Sequence, residues 1–306
     1  MSGPPELWLL IIEELVKPTH ISSYRLASEP LSNLSNLCLV NQQFKDLVEP
    51  ILYSRAYVTK RNWTSLDRVF TAGTSDAAHS NIMSKGRFVK SLAIQDFSAG
   101  ITEAQCRAIT KVLSAARFSL QRLFLDVHVT GDNIKSLGQS LGGFLDAMQN
   151  LASVRELCHL RPCASLFQQC FRGFLAKGTL QRVLLFGLSI YYQFPILEPP
   201  DFTNLDLLVL AIPYLPSSLA EAGSNSCSIT YTLQIAKRLL LLVPENGASQ
   251  ITIQGVDSVF RLEGVDRSQV EVADIRLSPL VESVINGEIW DIDQVSWATY
   301  VASFGT

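Results

Sequence analysis

The feature that most constrains this chain is a recurring apolar-x-x-apolar-x-apolar unit that starts near residue 85. Clear instances are Val89/Leu92/Ile94, Leu120/Leu123/Leu125, Val154/Leu157/His159, Leu180/Val183/Leu185 and Leu205/Leu208/Leu210. Weaker ones follow at Ala248/Ile251/Ile253 and Val272/Ile275/Leu277. First positions are spaced by about 31, 34, 26, 25, 43 and 24 residues, a period on the scale of solenoid repeats. The longest step contains Pro213–Tyr231, rich in Pro, Ser and Gly, and reads as a loop insertion.

Between these short apolar units lie helical stretches. Thr102 and Gln105 have the spacing of a capping box, with Ile109, Val112, Leu113 and Ala116 on one face behind them. Ile134, Leu137, Leu141, Leu145 and Met148 form a second stripe, in which Gly138, Gly142 and Gly143 lower the intrinsic helicity. Phe167, Cys170, Phe171, Phe174 and Leu175 form a third, ended near Gly178. Strand, helix and strand at this period predict parallel strands, because a parallel crossover needs a dozen or more residues. The expected class is α/β.

The N-terminal residues follow a different pattern. Pro4-Pro5 suits the first turn of a helix, and Leu7, Leu10, Ile11 and Leu15 then fall on one helical stripe. Leu31, Leu34 and Leu37 form a second stripe behind Pro30. Phe44, Leu47 and Val48 form a third, which Glu49-Pro50 is expected to break. Three such short helices must pack on each other or on a partner.

This N-terminal pattern resembles an F-box, on Pro5, Leu7, Ile11, Leu15, Leu34, Leu37, Val40 and Phe44. The family's opening leucine is replaced by Pro4, and the connector from Lys17 to Pro30 is longer than usual. The recurring units resemble the irregular leucine-rich repeats that often follow an F-box. Together they imply an F-box-like three-helix module at 4–54, a bridge at 55–84, a leucine-rich-repeat-like solenoid with parallel strands at 85–288, and a C-terminal cap or tail at 289–306. The resemblance implies a substrate-recruiting adaptor of a cullin-type ubiquitin ligase. The eight residues above would bind the Skp-type linker subunit, and the repeats would hold a target protein.

In a horseshoe of this kind, the residues between the paired apolar positions line the concave face. That central column reads Ala93, Phe124, Cys158, Leu184, Val209, Thr252 and Arg276, with Arg122, Glu156, Arg182, Asp126 and Phe186 beside it. Arg122, Phe124, Arg182, Leu184 and Phe186 are the expected target contacts, since aromatic and Arg residues dominate interface energetics. So apolar a face is either a protein-binding surface or a core face, covered by a C-terminal tail carrying Trp290, Trp297 and Tyr300.

An intracellular protein is expected, since the run LWLLII is too short for a signal-peptide core, has no basic residue before it and is flanked by Glu6, Glu13 and Glu14. Of 306 residues 47% are apolar and 17% charged, enough to bury a large core. A net charge of −3 gives no pull toward nucleic acid, and no apolar run reaches the length of a membrane span. No phosphate-cradling glycine motif and no nucleophile elbow occur. Cys158, His159, Cys163 and Cys170 match no zinc spacing, and Asp126 with His128 lack a nucleophile. Neither catalytic residue, cofactor nor metal is expected. Two other readings stay open: a leucine-rich-repeat scaffold without a ligase role, and an α/β enzyme with a doubly wound sheet.

Overall fold

The computed structural model describes residues 5–16, 23–26, 28–65, 85–97, 100–127, 131–160, 177–186, 205–211, 236–244, 270–275 and 284–286. Three helices come first: α1 (Pro5–Val16), α2 (Ser28–Leu37) and α3 (Gln42–Leu52). Eight strands follow among the described residues: β1 (Arg55–Thr59), β2 (Ser91–Phe97), β3 (Arg122–Val127), β4 (Glu156–His159), β5 (Arg182–Phe186), β6 (Leu205–Ala211), β7 (Ala236–Pro244) and β8 (Val270–Ile275). Helix α4 (Glu103–Ala116) joins β2 to β3, and α5 (Gly131–Gln149) joins β3 to β4.

All eight strands are parallel and lie side by side in chain order. The protein is therefore mixed α/β, built around one parallel sheet. A doubly wound sheet reverses its strand order, and ligands bind at the reversal. No reversal occurs among the described strands, so that crevice does not form here.

The pairing register corrects the C-terminal repeat units. Leu92, Leu123, Leu157, Val183 and Leu208 are successive partners, as their spacing predicts. The next partners are Leu239 and Val270, each 31 residues on, rather than Ile251 and Ile275. The long step thus disappears. Leu239–Val243 is a continuous apolar run that fits the template in several registers, so periodicity could not locate the strand. Ile251 and Ile253 lie outside the described residues.

The sheet also starts earlier than expected, inside the predicted bridge. β1 pairs with β2 from Arg55↔Ser91 to Thr59↔Gln95. Each carbonyl just ahead of a strand accepts two successive N–H groups from the following unit. Ser54 accepts from Lys90 and Ser91, Lys90 from Gln121 and Arg122, Gln121 from Arg155 and Glu156, Arg155 from Gln181 and Arg182, and Gln181 from Asp206 and Leu207, at 2.7–3.2 Å. Ser54 is thus the first rung of the same ladder. Helix α3 runs straight into it, through Pro50 rather than stopping there. Pro50 sits in the last turn, where Tyr53 N–H still reaches the Glu49 carbonyl at 2.9 Å.

One face of the sheet carries the helices. Leu92, Ile94, Leu123, Leu125, Leu157 and Val183 are buried against Ile109, Val112 and Leu113 of α4 and Leu141, Phe144 and Met148 of α5. The predicted capping box opens α4: Thr102 accepts from Gln105 N–H, and the Gln105 side chain accepts from Thr102 N–H at 2.9 Å. Within α5, Gly138 takes φ +45°, a left-handed value that favours glycine and kinks the helix. The predicted stripe at Phe167–Leu175 lies outside the described residues.

Candidate interaction surfaces

The three N-terminal helices bury a core of their own. Ile12, Leu26, Leu34 and Val48 are its centre, with Val16, Leu37, Leu47, Ile51 and Leu52 packed around them. Trp8 meets Phe44 edge-on, ring centroids 5.0 Å apart. Asn41 caps α3 by accepting the Phe44 N–H at 2.9 Å. Lys85 ties the module to the sheet: its ammonium lies 3.0 Å from Glu49 and over the Tyr53 ring. Burial alone would lower the Lys85 pKa, but its bonds to Glu49 and Tyr53 outweigh this and raise it.

Helix α1 is apolar on two sides. Trp8, Ile12 and Val16, spaced by four, face inward. Leu7, Leu10 and Ile11 share the other side and are 55%, 58% and 49% exposed. Leu39 and Val40, between α2 and α3, are 84% and 59% exposed. Isolated exposed leucines are ordinary, but three on one helix face exceed scattered exposure.

The eight predicted linker contacts therefore divide. Leu7, Ile11 and Val40 are exposed, and Leu15 and Leu37 are half-buried. Leu34 and Phe44 are buried and belong to the module's interior, which corrects their assignment to a docking surface. Pro5 opens α1. Leu10 and Leu39 join the exposed set, and helical spacing alone gave no means of telling which apolar side of α1 faces inward.

The sheet face opposite α4 and α5 is the second candidate. Its central column runs Tyr57, Ala93, Phe124, Cys158, Leu184, Val209, Leu240 and Glu271, which replaces Thr252 and Arg276 in the predicted column. From Ala93 to Leu240 every member is buried. Phe124 and Leu184 thus have no surface to offer a target in this conformation, a correction to their predicted role.

What covers part of this face is the connector between α1 and α2. Tyr24, fully buried, sets its ring 5.8 Å from that of Phe124 and donates its hydroxyl toward Cys158 Sγ at 3.8 Å. The Arg122 guanidinium lies over the same ring at 5.4 Å and donates to the Ser23 carbonyl at 3.2 Å. Tyr24 N–H donates to the Ile285 carbonyl at 2.8 Å, and Val284 and Ile285 are buried. Desolvation, reinforced by Cys158 and Glu156, raises the Tyr24 pKa well above its ordinary value. The Cys158 thiol is likewise raised by burial, so it stays protonated. Trp290, Trp297 and Tyr300, the predicted cover, lie outside the described residues.

Along the N-terminal ends of the strands, register aligns Arg122, Glu156 and Arg182 on one line. Arg182 pairs with Glu156 at 3.3 Å, and Arg122 donates to Ser91 Oγ at 2.8 Å. Arg122 and Arg182 are half-buried. Phe186 ends β5, but its side chain is not among those described. Burial, helped by the neighbouring charge of Arg122, lowers the Arg55 pKa to about 10.

The sequence also raised two chemical sets. Cys158 and His159 are consecutive on β4, so they point to opposite faces of the sheet and do not converge. Cys163 and Cys170 lie outside the described residues. Asp126 is buried on β3, and His128 lies outside the described residues. Among the described residues no helix is long and apolar enough to cross a membrane. No protein family, curated protein or solved structure matches this chain.

Proposed function

We propose that this chain is a substrate-recruiting adaptor of a cullin-type ubiquitin ligase, its F-box-like helices docking on the Skp-type linker subunit and its leucine-rich-repeat-like units holding a target protein. One observation carries the reading: α1 has satisfied the module's core with Trp8, Ile12 and Val16 and still presents Leu7, Leu10 and Ile11 to water. A helix apolar on two sides is suited to two sets of packing partners. The parallel sheet in unbroken chain order supports a repeat reading of the remainder. Recruitment by such a chain works by raising the target's local concentration at the ligase.

The test is co-purification of the full chain with the Skp-type linker subunit. Leu7→Asp and Val40→Asp are expected to abolish binding without loss of helicity, since neither side chain belongs to the core. A well-folded full chain that does not bind the linker sinks the adaptor reading. The reading then left is a leucine-rich-repeat scaffold without a ligase role. It is favoured by the ladder that begins at Ser54, which makes α3 and β1 the first unit of the sheet.

A further inference from the structure

The short connector Ser23–Leu26 has two faces. Its Tyr24 is buried on the sheet against Phe124 and Cys158. Two residues on, Leu26 is buried in the three-helix core with Ile12, Leu34 and Val48. Arg25, between them, is exposed. The backbone bends at Tyr24 and Arg25, and the Ser23 hydroxyl holds the bend by accepting the Arg25 N–H at 3.2 Å and donating to the Arg25 carbonyl at 2.7 Å. The bend turns Tyr24 and Leu26 toward different bodies.

We propose that Ser23–Leu26 is an intramolecular staple that fastens the helical module to the sheet and closes the sheet's apolar face over Cys158. Three observations converge on it. The ring of Tyr24 fills the space above Phe124 and Cys158, so its removal leaves a void beside a thiol. The staple is also held by a segment about 260 residues on, through Tyr24 N–H on the Ile285 carbonyl at 2.8 Å and the Ser23 hydroxyl 3.3 Å from the same carbonyl. Arg122 grips the staple from the sheet, by the Ser23 carbonyl and by the Tyr24 ring. None of this depends on what the module binds.

The Cys158 thiol is the reporter. In the native full chain, a maleimide read by peptide mass spectrometry labels Cys158 slowly, and Tyr24→Ala is expected to accelerate it by about tenfold or more. Tyr24→Phe keeps the ring and is expected to leave the rate near that of the unaltered chain. Cys106, buried between α4 and α5 and away from the staple, serves as the control and is expected to stay protected in both. Equal protection of Cys158 in folded Tyr24→Ala overturns the proposal.

A second measurement needs no substitution. In the unaltered chain at rising urea, tryptic cleavage after Arg25 and labelling of Cys158 are expected to appear together, before helicity is lost. Cys158 labelling that appears only with global unfolding overturns the proposal as well.

Discussion

Tyr24 and Leu26 stand two residues apart and are buried in different bodies, Tyr24 on the parallel sheet and Leu26 among the three helices. Helices and sheet are thus joined through this connector, through Lys85 on Glu49 and Tyr53, and where α3 continues into β1 at Ser54. These attachments hold the exposed face of α1 at a fixed angle to the sheet.

Each half of this joint has a separable cost. We predict that Leu26→Ala destabilises the chain by about 2–5 kcal/mol, and Tyr24→Ala by about 3–5 kcal/mol, the usual range for emptying a buried site. Tyr24→Phe loses only a weak hydroxyl–thiol contact and is expected to stay within about 1 kcal/mol. Because the folded chain holds the Tyr24 proton more tightly than the unfolded one, its contribution is intact below pH 10 and fades as pH rises above it. Urea midpoints measured at pH 7 and above pH 10 check both claims, and a Tyr24→Phe chain without reduced alkaline loss contradicts the second.

How far the sequence reveals this depends on the range of the interactions involved. The capping box at Thr102 and Gln105 was legible because its chemistry is local. Strands β2 to β6 were legible because one apolar unit repeats with a sheet-like alternation. β1 was not, since Arg55–Thr59 buries only Ala56 and Val58 and borrows its order from β2. β7 was misplaced because four consecutive leucines, Leu239–Leu242, carry no period. The connector was the least legible. Ser23 and Arg25 read as loop residues, and the contacts that order Tyr24 lie about 100 and 260 residues away in sequence.

The two classes of N-terminal leucine are expected to behave oppositely. Leu7→Asp, on the exposed side of α1, is predicted to change stability by no more than about 0.5 kcal/mol. Leu34→Ala, at the module's centre, is predicted to cost about 2–5 kcal/mol. Thermal melts followed by circular dichroism separate them. Comparable losses would mean that Leu7 is core and that α1 has no spare face.

A third prediction concerns the junction of the module with α4. Gly86 lies in a short 3-10 turn, Lys85–Phe88, whose carbonyl at Gly86 accepts the Ser119 hydroxyl at 2.9 Å. A Cβ at this position would sit 2.5 Å from the Ala115 Cβ and 2.6 Å from its backbone carbonyl. No side chain there can swing away, so the turn must move off α4. We predict that Gly86→Ala costs about 1–3 kcal/mol, the range for overpacking, and that Gly86→Ala with Ala115→Gly recovers part of it. Full additivity of the two changes would show that the clash is not the cause.

The last prediction is a pH dependence. His159 lies on β4 between Leu125 and Leu185 of the neighbouring strands, on the helix-covered face. Desolvation there lowers its pKa from 6.5 to about 4, so the imidazole is neutral in the folded chain at physiological pH. Below pH 6.5 the unfolded chain binds a proton that the folded chain refuses, so stability falls as pH drops from about 6.5 to about 4. At one pKa unit per 1.36 kcal/mol the full loss is about 3 kcal/mol, and partial hydration of the half-buried ring reduces it to about 2. His159→Gln has no proton to refuse and is expected to flatten that part of the profile. Urea midpoints between pH 7 and pH 4 make the comparison, and parallel profiles for the two chains would place the acid sensitivity elsewhere.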